Sequence, residues 1–205
     1  MEKKKNDFIA QGSILAIASI LVRVMGMIYR IPMTAIIGDK GNGFYSYAYS
    51  VYTILLLLSS YSLPLAVSKM VSAKAQLGQW RNVKRVFICA IAFAIGIGTT
   101  FGLIVLIGAQ FFTRVFFHSE LAAIALRFMA PTILIMALLG VFRGFFQGLQ
   151  NTLPTAVSQI VEGLINAIMS VVFAYFLFDF GHGMDVASGT TDLGYAWGAA
   201  GGAIG

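Results

Sequence analysis

Five stretches of this 205-residue chain stay apolar for longer than a soluble helix has reason to: Phe8–Ile37, Tyr45–Met70, Val86–Thr113, Leu121–Gln147 and Leu153–Phe178. A bilayer's hydrocarbon core takes about 20 predominantly apolar residues in helical form. In lipid each backbone polar group must be satisfied internally, and long continuous apolar runs do this as helices. The chain is therefore expected to be an all-α polytopic membrane protein. A sixth span opens near Gly194 in the run GYAWGAAGGAIG and is truncated at Gly205, which reads as a fragment. Composition agrees, with 59% hydrophobic and 11% charged residues, where a soluble domain carries about 25% charge. The basic start MEKKKNDFIAQGS looks like a signal peptide, but the apolar run after it is too long and further spans follow, so it reads as a retained first helix.

Charge distribution sets the orientation. With the N-terminus in the cytoplasm, the inner segments hold Lys3, Lys4, Lys5, Lys69, Lys74, Arg81, Lys84, Arg85 and Arg143, whereas the outer loops hold only Lys40 and Arg114. Positive charge accumulates on the cytoplasmic side of membrane proteins, so the expected topology is N-terminus inside. Phe44, Tyr45, Tyr47, Tyr49 and Tyr52 crowd the outer end of the second span, as an interfacial aromatic belt would. Trp80 sits in the basic cytoplasmic loop, whose cations suit an anionic inner leaflet and also serve as a topology signal.

Gly140, Gly144 and Gly148 close the fourth span, and Gly194, Gly198 and Gly202 open the sixth, both at four-residue spacing. Such ladders let helices approach closely in lipid. Pro154 falls in a first turn, where proline is tolerated, whereas Pro32, Pro64 and Pro131 are expected to bend or locally open their helices.

Four ionisable residues lie within the spans: Arg23, Arg30, Arg127 and Glu162. Arg127 is near the outer end of its span and can snorkel. Arg23 cannot, because it stands about 22 Å along the helix from Phe8. A central arginine costs about 2.5–3.5 kcal/mol on an insertion scale, so lipid exposure is unfavourable. Arg23 and Arg30 are two turns apart on one face, which places them together in a protein-lined, watery cavity. The fifth span repeats Ser158, Glu162, Asn166 and Ser170 every four residues, a polar stripe that faces the bundle interior. Glu162 has three readings: an ion pair with Arg23 or Arg30, a tuning charge, or a site for a proton or cation. Guanidinium forks suit phosphate and pyrophosphate oxygens. A cationic cavity between membrane helices thus points to an amphiphile with an anionic head and a lipid tail.

The rest of the inventory excludes other chemistry. Cys89 is the single cysteine and forms no internal disulfide, and His118 and His182 lie in separate loops without partners at metal-ligand spacing. The sequence carries no nucleophilic triad, no phosphate-binding glycine loop, and no signal for an enzyme, a metal, a cofactor or nucleic acid.

Two long runs carry a family resemblance. VRVMGMIYRIPMTAIIGDKGNGFYSYAYSVYTILLLLSSYSLPLAVSKMVS and FRGFFQGLQNTLPTAVSQIVEGLINA resemble the stage V sporulation protein B group of polysaccharide-biosynthesis membrane proteins. That group is related to the lipid II flippase of bacterial cell walls, within the multidrug/oligosaccharidyl-lipid/polysaccharide exporter superfamily. The resemblance implies two six-helix lobes around a central cavity, with residues 1–205 supplying the N-terminal lobe and the C-terminal lobe absent from this chain. It also implies that Arg23 and Arg30, which match the first-helix arginines of the flippase branch, hold the diphosphate of a lipid carrier. A second-helix cavity arginine of that branch has no counterpart between Tyr45 and Ser68.

The resulting expectation is a flippase or exporter lobe in the bacterial cytoplasmic membrane that moves a polyprenyl-pyrophosphate-linked glycan by alternating access. Arg23, Arg30, Glu162 and Asn166 are the expected cavity residues. Arg143, Gln147 and Asn151, at the cytoplasmic end of the fourth span, are expected to contact the head group, lock an inner gate or tie a helix–loop–helix corner. Three rivals remain: a cation-coupled multidrug exporter using Glu162, a non-transporting scaffold for envelope assembly, and a membrane enzyme acting on lipid phosphates, for which His118, Glu120, His182 and Asp185 are a poor set.

Overall fold

Gly38 decides the path of the first helix. Its backbone angles, φ 63° and ψ −176°, lie where essentially only glycine is found, and they turn an otherwise unbroken helix, α1 (Glu2–Ser60). The computed structural model describes residues 2–60 and 62–205, with side chains for residues 12–59 and 62–205. The side chains of Lys3, Lys4 and Lys5 lie outside that set. Beyond α1 come α2 (Leu63–Gln76), α3 (Trp80–Phe117), α4 (Ala122–Gly148), α5 (Leu153–Ser188) and α6 (Leu193–Ile204). Among the described residues all regular structure is helical, and α3, α4, α5 and the α1–α2 stretch are each long and apolar enough to cross a membrane.

The helix boundaries differ from the sequence reading in several places, and α3 begins at Trp80, expected in a loop, rather than at Val86. The loop expected around Asp39–Gly43 is helical on both sides of Gly38, so α1 has two arms that bend at one residue. Tyr45 on the second arm packs against the Met33, Ile37 and Ala174 cluster, so the arms bend back toward each other. The second span does not run unbroken to Met70: it ends at Ser60, and Pro64 sits in the first turn of a separate α2. Proline lacks the amide that would continue the helix, and a first turn needs none. Pro131 and Pro32, by contrast, lie inside helices that continue through them.

α5 also outruns its expected end at Phe178 and reaches Ser188, where Gly189 closes it in a left-handed conformation (φ 70°). Asp185 explains the extension. Its carboxylate accepts hydrogen bonds from Thr190 Oγ1 at 2.6 Å and from the amides of Leu193 at 3.0 Å and Gly194 at 2.8 Å. The last two are N-terminal amides of α6 that have no intrahelical partner, so one side chain joins the end of α5 to the start of α6.

α4 is the most enclosed of the spans. One core joins its N-terminal half (Leu126, Met129, Ile133) to Val51 of α1, Val105 of α3 and Ala199 of α6. A second joins its C-terminal half (Ala137, Val141) to Val67 and Val71 of α2 and Ala94 of α3. Large apolar side chains such as Ile107, Ile31 and Phe111 point outward, as lipid-facing residues do. This is an all-α, multi-pass membrane protein.

Candidate functional site

The site is organised by the seam between the first arm of α1 and α5. A Cβ at Gly163 would come within 3.1 Å of Met25 Cε and 3.3 Å of Val22, so the helices meet with Gly163 level with residues 22–25. Higher on the same seam, Ala174 packs with Met33 and Ile37. The helices therefore run in parallel, with Arg23 at the depth of Glu162 and Arg30 near that of Ser170. Arg23 and Arg30, about 10 Å apart along the axis, are both exposed on the surface of the molecule.

Asn166 and Ser170 continue the stripe on α5. The Ser170 hydroxyl lies 2.8 Å from Asn166 Oδ1 and 3.3 Å from the Gly202 carbonyl, tying the stripe to α6. Arg30 is within electrostatic reach of Tyr45. Tyr45 stacks with Tyr49 at 5.9 Å between ring centroids, and Tyr49 approaches Tyr52 at 6.1 Å. Tyr52, half-buried on the same arm, packs against the core around Leu126, Met129 and Ile133 of α4. Tyr45, Tyr49 and Tyr52 of the expected aromatic belt share one face of the second arm at four- and three-residue spacing.

Glu162 pairs with neither α1 arginine. Its Oε2 accepts a hydrogen bond from Nη2 of Arg143, whose Nε also donates to Ser158 Oγ at 3.2 Å. The burial of the two partners is unequal: the Arg143 side chain is 16% exposed and that of Glu162 43%. Of the other two residues grouped with Arg143, Gln147 is half-buried one turn further along α4, and Asn151 is exposed in the turn before α5. That turn bends through Gln150, which adopts a left-handed conformation (φ 59°). Arg127 is exposed near the outer end of α4.

At the end of the bundle where α4 gives way to α5, Ser72 and Gln76 of α2, Trp80 of α3, and Gly148 and Gln150 at the end of α4 border an open polar cleft of about 600 Å³. At the opposite end Lys40 bonds Asp192 at 3.0 Å, with its ammonium 5.9 Å from the centre of the Tyr195 ring. No cluster of three or more potential metal ligands occurs among the described residues.

No solved structure matches the chain. Three proteins of Bacillus subtilis (strain 168) are similar to it in sequence. One is lipid II flippase MurJ, 26% identical over 93% of this chain and 37% of its own length. Stage V sporulation protein B is 26% identical over 84% of this chain and 34% of its own. The uncharacterized membrane protein YabM is 26% identical over 84% and 32%. The chain thus spans about a third of the length of each of these relatives. The profile described as polysaccharide biosynthesis protein matches residues 8–184. With most of its length inside that match, the chain belongs to the polysaccharide biosynthesis protein family of multi-pass membrane proteins.

Proposed function

We propose that this chain forms the N-terminal lobe of a flippase that carries a lipid-linked, pyrophosphate-bearing oligosaccharide from the inner to the outer leaflet by alternating access. The observation that carries the reading is the pair of exposed guanidiniums, Arg23 and Arg30, two turns apart beside the polar stripe of α5. Exposure of both to hydrocarbon would cost about 5–7 kcal/mol on an insertion scale. A second lobe closing over this face would convert the exposed stripe into a water-filled cavity. Guanidinium groups at two depths suit an anion that enters from the cytoplasmic side and moves outward. The kinship with a protein named as a lipid II flippase supports a transporter rather than an enzyme. In this reading the N-terminus is cytoplasmic, the membrane is a bacterial cytoplasmic membrane, and a second lobe completes the cavity.

The multidrug-exporter alternative needs Glu162 as a free cation site. The carboxylate already holds the Arg143 guanidinium, which weighs against that reading.

The test uses the product of the complete open reading frame, reconstituted in vesicles with a polyprenyl-pyrophosphoryl oligosaccharide. Leaflet exchange is compared for the parent, Arg23→Ala and Arg30→Ala after equal insertion has been verified. Exchange by the parent and its loss in both variants supports the cavity. Parent vesicles that behave like empty ones with every lipid tried would rule the reading out.

A further inference from the structure

A carboxylate is a poor neighbour for an anionic cargo, yet Glu162 sits in the stripe beside Arg23 and Arg30, and this needs a reason. Arg143 supplies it. Its side chain is mostly buried, and a buried guanidinium without a counter-ion is strongly unfavourable. Two donors of the same guanidinium are committed, Nη2 to Glu162 and Nε to Ser158 Oγ, which is held in turn by the Thr155 carbonyl at 2.8 Å. Ser158 therefore fixes Arg143 even without the carboxylate. Glu162 is the more exposed partner. Apart from this bridge, α4 and α5 touch sparingly, so its side chain has room to swing. The pair stands about 13 Å along α5 from its cytoplasmic start at Leu153, nearer that end than Asn166 or Ser170 and level with Arg23.

We infer that Glu162 is an internal stand-in for the anionic group of the cargo: it neutralises Arg143 while the lobe is empty, and an entering pyrophosphate displaces it. Arg143 then becomes a third cationic contact, contributed by α4. The exchange replaces one oxyanion by another on a guanidinium that does not move, so Arg143 is never left uncompensated. The freed carboxylate turns out into the water of the exposed face. This deepens the proposed function and rests on it.

The experiment measures binding of farnesyl pyrophosphate to the full-length protein in nanodiscs of neutral lipid. Loss of a purely structural tie would weaken binding or leave it unchanged. Loss of an internal competitor strengthens it, so Glu162→Gln is expected to tighten binding about tenfold. Arg143→Lys, which keeps the charge but not the fork, weakens binding in the parent and removes the gain in the Glu162→Gln background. Arg23→Ala separates the two claims. If Arg23→Ala weakens binding while Glu162→Gln fails to tighten it, the stand-in is overturned and the arginine cavity survives. If the parent does not bind the probe at all, both fall.

Discussion

A Cβ placed on Gly144 would stand 2.5 Å from the carbonyl oxygen of Pro64 and 2.9 Å from its Cα. The start of α2 therefore lies directly on the backbone of α4, and one turn on, a Cβ at Gly148 would meet Ser68 O and Val71 Cβ at 2.8 Å. Lipid supplies no hydrophobic drive between helices, so close contact of small residues has to hold this pair together. Gly144→Ala is expected to push α2 away at a cost of about 1–3 kcal/mol, and Gly144→Leu to prevent folding. Thermal unfolding of the purified protein in detergent measures both. An unchanged Tm for Gly144→Ala would mean that α2 is free to shift.

The Asp185 bridge makes a second claim about stability. Asp185→Ala leaves the amides of Leu193 and Gly194 and the Thr190 hydroxyl without their acceptor. The start of α6 should fray, lowering Tm by several degrees and opening the segment 189–192 to protease. Asp185→Asn keeps one acceptor oxygen and should fall between the two. Equal digestion of all three forms would show that α6 is held by its packing alone. That packing is close: the backbone at Phe173 and Ala174 leaves no room for a Cβ on Gly201.

Topology can be read by labelling. Cys89 is the single cysteine and is exposed on α3, so the background is Cys89→Ser. Gln79 lies exposed between α2 and α3, and Thr191 exposed between α5 and α6. With the N-terminus inside, an impermeant maleimide added to intact cells should label Thr191→Cys and spare Gln79→Cys until the cells are permeabilised. The reverse pattern would invert the orientation assigned from lysine and arginine placement.

Much of this architecture was legible because it depends on local composition. Runs of apolar residues marked the spans, and glycine spacing marked the close contacts of α4 and α6. The break between the first two spans was legible but its form was not, because Asp39-Lys40-Gly41-Asn42-Gly43 has the composition of a loop, while a single glycine, Gly38, makes the turn. Asp185 was hidden for a different reason: its acceptor role depends on α6 returning beside the end of α5, and no periodicity records that return. Arg143 and Glu162 were both singled out as residues, but their pairing was not foreseen. It depends on how α4 and α5 are rotated about their axes beyond the turn at Gln150, which hydropathy does not encode.

The membrane potential supplies the last prediction. In the proposed function, a pyrophosphate carrying about two negative charges, moved outward across 100 mV with the interior negative, releases roughly 4.6 kcal/mol if it crosses the whole field. Arg23, Arg30 and Arg143 would remain in the protein and return with it, so over a full cycle only the cargo's charge would be moved. If nothing else moves, the outer-to-inner ratio of labelled cargo at steady state should rise by about three powers of ten over that at zero potential. A potassium gradient with valinomycin sets the voltage in vesicles, and an impermeant quencher reads the leaflet ratio. A ratio that tracks voltage with a slope of two charges makes the cargo the only moving charge. A ratio that ignores voltage means that compensating cations cross with each lipid, and Glu162, freed from Arg143 by the cargo, is the first carboxylate to replace in finding them.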